Sequence, residues 1–142
     1  MEKEIVDIGK VNYLVDEFAA KYPAILSQFE VIVGMSRGGL VPAALLATYL
    51  GKPLVVVYID KEDRIYVDRV DWVKGKNALV VDDIIRTGKT LRLVKEYLEK
   101  NVGPASMQFF ALYAVTPLRN TNYDFPAFAQ KTDKDVIFPW DH

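Results

Sequence analysis

Two adjacent carboxylates, followed after a short gap by Thr-Gly-Lys-Thr, are the residues of this chain best suited to chemistry. They lie in the stretch from Val80 to Thr90, Val-Val-Asp-Asp-Ile-Ile-Arg-Thr-Gly-Lys-Thr. The stretch reads as an apolar strand ending in Asp82 and Asp83, then a short loop, then a helix. In an open parallel sheet, ligands bind outside the carboxyl ends of the strands. A helix start exposes unpaired N–H groups and the positive end of the dipole, which suits a phosphate. The pair of carboxylates can accept from sugar hydroxyls or hold a cation. A phosphorylated sugar satisfies both halves of the stretch.

Two other readings compete. Thr-Gly-Lys-Thr matches the end of the nucleotide P-loop Gly-x-x-x-x-Gly-Lys-Ser/Thr, whose first glycine would fall at position 83. That position is Asp83, so the P-loop is rejected. The bland alternative is a surface turn after a strand. Neighbouring carboxylates at a buried strand end repel each other, so a purely structural role is costly without a cation or hydroxyls to occupy them.

A second candidate anion loop precedes it. Gly34-Met35-Ser36-Arg37-Gly38-Gly39-Leu40 is small, flexible and carries one cation. It follows a short apolar strand from Phe29 to Val33 and leads into a helix from Leu40 to Leu50, which Gly51 stops. The elements around these loops alternate. Val11, Leu14, Val15, Phe18 and Ala19 recur at helical spacing over about 10–22, and Pro23 marks the end. Leu54 to Ile59 is a buried strand, and Ala78 to Val81 is the strand that feeds the carboxylates. Between them, Arg64 to Val70 alternates like an exposed strand. A helix from about Lys89 to Lys100 carries Leu91, Val94 and Leu98 on one face, and Met107 to Val115 is a further apolar strand. The tail from Pro117 reads as loop, with a last extended piece at Val136-Ile137-Phe138.

This pattern predicts an α/β fold: a single domain spanning 1–142, with a doubly wound, mostly parallel sheet and a small C-terminal hood or tail. Right-handed crossovers bring the two glycine-containing loops to one sheet edge, across a cleft. The chain has 142 residues, about half hydrophobic and a quarter charged, which is enough for one core. With a net charge of −1, nothing suggests a nucleic-acid or membrane surface. No cysteine is present, so disulfides, thiol nucleophiles and cysteine metal sites are excluded. The N-terminus lacks signal-peptide order and no apolar run reaches the roughly 18 residues of a membrane span, so a cytoplasmic location is expected. There is no internal repeat or low-complexity tract.

The stretch from Val80 to Thr90 resembles the phosphoribosyl-pyrophosphate signature of the phosphoribosyltransferase family: an apolar strand, two acidic residues, then Thr-Gly-x-Thr. Ser36-Arg37-Gly38-Gly39-Leu40-Val41-Pro42 resembles that family's pyrophosphate loop, and the ending Pro139-Trp140-Asp141 is also similar. The wording is nearest to the xanthine-guanine and small archaeal purine members. The resemblance spans nearly the whole chain, in order and spacing. It implies transfer of ribose 5-phosphate from phosphoribosyl pyrophosphate to a purine or purine-like base, with release of pyrophosphate. It implies Mg²⁺ as the cofactor, held by Asp83 and Asp82, and Arg37, Asp82 and Asp83 as catalytic residues. Substrate contacts carry over to Ser36, Arg37, Gly38, Asp82, Asp83, Arg86, Thr87, Gly88, Lys89, Thr90 and Val136. The family often has a strained or cis peptide in the pyrophosphate loop, which singles out the Ser36–Arg37 bond. A homodimer or higher homo-oligomer is expected, with no nucleic-acid or membrane partner.

Three base-recognition positions depart from the family pattern. The residue before Thr-Gly-x-Thr is an acid in the 6-oxopurine enzymes; here it is Arg86, which cannot act as a base at neutral pH. A lysine before a proline is replaced by Thr116 before Pro117, and a stacking aromatic by Asp135. The segment from Asp60 to Gly75 lacks the Ser-Tyr pair of the family's closing loop, leaving Lys61, Arg64 or Arg69 as substitutes or as a solvated charged face. A catalytically diverged donor- or nucleotide-binding regulatory module is therefore the alternative reading. Tyr113, Trp140 and Trp72 read as core or interface, and His142 as a non-catalytic terminus.

Overall fold

The computed structural model describes residues 2–115 and 126–141. Its order is β1 (Lys3–Ile5), α1 (Ile8–Lys21), α2 (Pro23–Leu26), β2 (Val31–Ser36), α3 (Leu40–Leu50), β3 (Leu54–Ile59), β4 (Ile65–Val67), α4 (Val70–Val73), β5 (Asn77–Ile85), α5 (Lys89–Asn101), β6 (Ser106–Val115), β7 (Pro126–Thr132) and β8 (Asp135–Ile137). Six strands form one sheet in the order β4-β3-β2-β5-β6-β7. All its pairings are parallel except that of β4 with β3. The chain moves outward from β2 to β3, then returns to the other side of β2 for β5. The topological switch therefore lies between β2 and β5, where open α/β sheets place their ligands.

Helices cover both sheet faces. α1 begins at Asp7, whose carboxylate accepts from the Lys10 N–H at 2.8 Å, and it buries Val11, Leu14, Val15, Phe18 and Ala19. These pack with α3 residues Ala43, Leu46 and Ala47 and with the β-strand residues Ile32, Leu79 and Phe110. On the other face, α5 inserts Leu91, Val94 and Leu98 against Val31, Val33, Val80 and Phe109. Val33 and Val80 stand opposite each other in the β2–β5 ladder and are fully buried. Each such side chain contributes about 1.5–3 kcal/mol of apolar burial, which fixes the strand ends from which the polar loops emerge.

The helix at Leu40–Leu50 and the strand at Leu54–Ile59 have the bounds expected from sequence, and Gly51 closes α3 in the left-handed region at φ 64°. Pro23 ends α1 and opens the single turn of α2. Four expectations need correction. The exposed strand expected over Arg64 to Val70 is only Ile65–Val67, and Val70 opens α4. β2 runs on through Ser36, so Gly34 and Met35 belong to the strand. β5 continues through both aspartates to Ile85, because β6 pairs with it as far as Ile84↔Tyr113 and Ile85↔Ala114. The tail is not all loop: Pro126–Thr132 is a parallel edge strand beside β6. Thr116 and His142 lie outside the described residues.

A second sheet of two strands stands apart. β1 and β8 pair in parallel, with Lys3↔Asp135, Glu4↔Val136 and Ile5↔Ile137 in register. The flanking bonds Asp135 N–H to Glu2 and Val6 N–H to Ile137 lengthen the pairing. This is the hood expected at the C-terminus, completed by the N-terminal strand.

Candidate active site

The β2–α3 loop and the β5–α5 loop meet at the switch point. The first is a tight turn: Gly39 donates to the Met35 carbonyl at 2.7 Å, and Leu40 to the Arg37 carbonyl at 3.2 Å. The Ser36–Arg37 peptide is cis, at the bond singled out from the sequence. The two glycines that follow are there for want of space. A Cβ on Gly39 would lie 2.1 Å from the Val81 carbonyl oxygen and 2.8 Å from the Asp82 Cα. A Cβ on Gly38 would lie 2.2 Å from Asp83 Oδ2. The loop thus presses its backbone directly onto the acidic strand end.

Asp82 and Asp83 are each partly buried. The Asp83 N–H donates to Asp82 Oδ1 at 2.8 Å. Burial, reinforced by the neighbouring Asp83 charge, pushes the Asp82 carboxyl well above the usual range despite that bond. Such a carboxyl favours a proton or a cation over standing bare. Asp83 Oδ2 accepts the Trp140 indole N–H at 3.0 Å. Trp140 packs against the core, as expected from sequence, and its N–H also reaches the candidate site. The family-like ending Pro139-Trp140-Asp141 marks the residue in the sequence, but its pairing with Asp83 has no local signal, because the two residues are 57 positions apart.

Beyond β5 the chain turns through Arg86, Thr87 and Gly88 into α5. Gly88 caps the helix at φ 81°, a left-handed conformation that glycine adopts without strain. Gly88 itself has no side chain to cap the helix start. The Lys89 N–H leans on the Thr87 hydroxyl at 3.3 Å, and the Arg92 guanidinium donates to the Thr87 carbonyl at 3.3 Å. Lys89 and Thr90 are exposed. Asp82 to Leu91 together line a cavity of about 330 Å³, and Arg37, Gly38, Asp83, Trp140 and Asp141 line one of about 320 Å³. Asp83 belongs to both.

The other candidates fall into place around this pair of cavities. Ser36 ends β2 and Arg37 is exposed beside Gly38. The Val136 side chain is 3% exposed and packed in the core, so a ligand would meet only its backbone. Its neighbour Asp135 faces outward, and Arg86 Nη2 lies 3.8 Å from Asp135 Oδ1. Two of the departures from the family pattern therefore touch each other. In the segment after β3, Arg64 pairs with Asp60 and Glu62, and the Arg69 guanidinium sits 4.9 Å over the Trp72 ring. Asp63 instead reaches Lys89, at 3.7 Å.

A family profile, the phosphoribosyl transferase domain, matches residues 2–141. The chain belongs to the phosphoribosyltransferase family. It is 35% identical over 125 residues to a xanthine-guanine phosphoribosyltransferase of Gluconobacter oxydans, covering 80% of this chain and 69% of the relative. A second such relative, from Idiomarina loihiensis, is 32% identical over 123 residues, covering 80% and 72%. The crystal structure of a purine phosphoribosyltransferase from Pyrococcus horikoshii superposes with a TM-score of 0.82 at 30% identity, covering 100% of this chain and 96% of that one.

Proposed function

We propose that this phosphoribosyltransferase moves ribose 5-phosphate from phosphoribosyl pyrophosphate to a purine base and releases pyrophosphate. The observation that carries the reading is the contact of the two loops: Gly38 and Gly39 bring an arginine-bearing turn onto Asp83, one strand-and-turn away from a helix start. The purine relatives supply the acceptor class.

In this reading the N–H groups and hydroxyls of Thr87 to Thr90 hold the 5-phosphate at the start of α5. Lys89 adds charge there. Asp82 and Asp83 accept from the ribose 2- and 3-hydroxyls. Ser36, Arg37 and the Gly38 amide receive the pyrophosphate, whose departing negative charge Arg37 stabilises. The transition state is oxocarbenium-like, so positioning and charge stabilisation carry the reaction and no covalent nucleophile is needed.

The residues present fit Mg²⁺. Two adjacent oxygen donors, one held above its usual range chiefly by burial and then by its neighbour's charge, offer a partial shell, and Mg²⁺ commonly takes one or two carboxylates together with substrate oxygens and water. Among the described residues no group of three acidic, histidine or cysteine side chains converges, so Asp82 and Asp83 are the side chains that would hold it. When bound there, the ion would neutralise charge on the pyrophosphate.

The acceptor end is particular to this chain. Arg86 can only donate, and Asp135 as a carboxylate can only accept. A purine edge that presents an acceptor beside an N–H suits both. The test is a base screen with phosphoribosyl pyrophosphate and Mg²⁺, scored by pyrophosphate release. Turnover with a purine is expected. Donor binding by calorimetry with no turnover on any base would move the protein to the alternative, a donor- or nucleotide-binding regulatory module.

A further inference from the structure

Resting on that donor-site reading, we propose that Trp140 is a positioning residue for Asp83, and that the C-terminal Phe138-Pro139-Trp140-Asp141 turn is a hook that sets the orientation of this carboxylate for the donor. The indole N–H can donate but cannot accept, so its only use toward Asp83 is to hold a carboxylate oxygen. It holds Oδ2, at 3.0 Å. The second oxygen is left to serve a ligand. Oδ2 is also the atom that Gly38 approaches too closely to allow a Cβ. Three segments distant in sequence thus converge on one carboxylate: the β2–α3 loop, the end of β5 and the chain terminus.

The hook is itself held firmly. The Trp140 ring stacks on Phe138 with centroids 5.0 Å apart and an interplanar angle of 8°. Phe138 is 3% exposed and meets the fully buried Tyr113 edge-on at 5.8 Å. The Phe138 N–H donates to Asp141 Oδ2 at 2.9 Å, and the Asp141 N–H returns to the Phe138 carbonyl at 3.0 Å. This reciprocal pair closes the turn around Pro139 and fixes the indole in one direction. A surface tryptophan with a free ring would not need such a mount. Both Trp140 and Asp141 line the cavity that contains Arg37 and Gly38, so the hook forms one wall of the space assigned to pyrophosphate.

Trp140→Phe keeps the stack and deletes the N–H. Its dissociation constant for phosphoribosyl pyrophosphate in the presence of Mg²⁺, measured by calorimetry, is expected to rise about ten-fold, the lower end of what loss of a partner to a metal-site ligand produces. The KM for the donor should rise with it, while the KM for the base stays within two-fold. Fluorescence gives an independent readout. Trp72, the other tryptophan, lies on α4 under Arg69, so Trp72→Phe leaves Trp140 as the sole emitter. Its emission should shift on adding Mg²⁺ and donor, and not on adding base alone. In Asp83→Asn it should not shift. A donor affinity within two-fold of wild type in a folded Trp140→Phe, equal rises in both KM values, or an unresponsive Trp140 emission would each overturn the proposal. If Trp140→Phe does not fold, the fluorescence titration decides. Wild-type protein that binds donor without turnover, with these effects intact, would remove the transferase reading and leave the positioning role. No donor binding at all would end both.

Discussion

Asp83 and Arg86 are three residues apart on one strand-to-helix connection, yet their surroundings differ in kind. Around Asp83 the fold leaves no slack. Two glycines press backbone against the strand end, an indole clamps one carboxylate oxygen, and the neighbouring aspartate is held above its usual range. Around Arg86 the surroundings are loose: its side chain is 52% exposed, and its ion-pair partner among the described residues, Asp135, is 44% exposed at 3.8 Å. In the proposed reading the donor end is thus built from backbone approach and part-buried polar contacts, which are expensive to alter. The acceptor end is built from exposed side chains, which the fold lets vary, because a solvent-exposed ion pair contributes only about 0–1 kcal/mol. In the proposed reading, that difference explains how the loops assigned to phosphate and ribose can be kept while the residues that would face the base vary.

The comparison breaks most easily at Gly39. Gly39→Ala drives a methyl into the Val81 carbonyl and the Asp82 Cα, and neither is a side chain that can swing away. Such overpacking costs about 3 kcal/mol. A melting temperature lower by many degrees and no measurable donor binding are expected from thermal melts and calorimetry. Gly38→Ala is the control, since its methyl meets the Asp83 carboxylate instead. There the side chain must turn, so donor affinity should fall while the melting temperature changes little. Equal stability losses at both positions would mean that the loop is not seated on backbone as the geometry requires.

Next in size is Asp83→Asn. Loss of a charge that would face both metal and ribose should weaken Mg²⁺-dependent donor binding by about 100-fold, in line with a charge-assisted contact of about 3 kcal/mol. Donor binding that survives this change would move the sugar site elsewhere.

Much of this end of the molecule was readable from residue types alone. The apolar run before Asp82, the glycines after Ser36 and the helix from Leu40 to Leu50 each follow from local periodicity and turn chemistry, and the structure has them there. What was not readable depends on partners far along the chain. β7 is Pro-Ala-Phe-Ala-Gln-Lys-Thr, which carries no firm alternation and becomes a strand through its ladder with β6. β5 outruns its apolar stretch because β6 keeps pairing beyond Asp82. The Trp140–Asp83 and Arg86–Asp135 contacts join the terminus and the hood to the centre of the sheet, and no window of sequence contains both members of either pair.

Asp82 gives the comparison a pH dependence. Its carboxyl is raised chiefly by burial and then by the Asp83 charge, so the folded state holds its proton more tightly than the unfolded chain does. That contribution to stability is fully present below the ordinary carboxylate range. It is lost as pH rises through that range and up to the raised value. Asp82→Asn removes the dependence and should melt about 3–5 °C higher than wild type at neutral pH without ligand, corresponding to about 1 kcal/mol. Donor affinity runs the other way. A cation needs the carboxylate, so Mg²⁺-dependent binding to wild type should strengthen as pH rises through the same range, and Asp82→Asn should flatten the profile. A wild-type profile as flat as the variant's would mean that Asp82 stays out of the metal and donor site.

The smallest effect on the fold, and the sharpest on selectivity, is expected at Arg86. Arg86→Asp removes the ion pair with Asp135 and sets two carboxylates near each other on an exposed edge, which should cost only a few tenths of a kcal/mol in water. The melting temperature should move by about 1 °C or less. Donor affinity should stay within about two-fold, because Arg86 precedes the helix start and does not belong to it. The acceptor profile is where the change should register: KM for the preferred purine rises about ten-fold, the size of one lost base-edge contact, while 6-oxopurines gain relative to it. If donor affinity collapses instead, Arg86 is a phosphate ligand and the boundary between the two ends of the cleft lies on the far side of that residue. If neither affinity nor profile moves, the base is read elsewhere, and the Arg86–Asp135 pair is a tie between the β5–α5 loop and the hood.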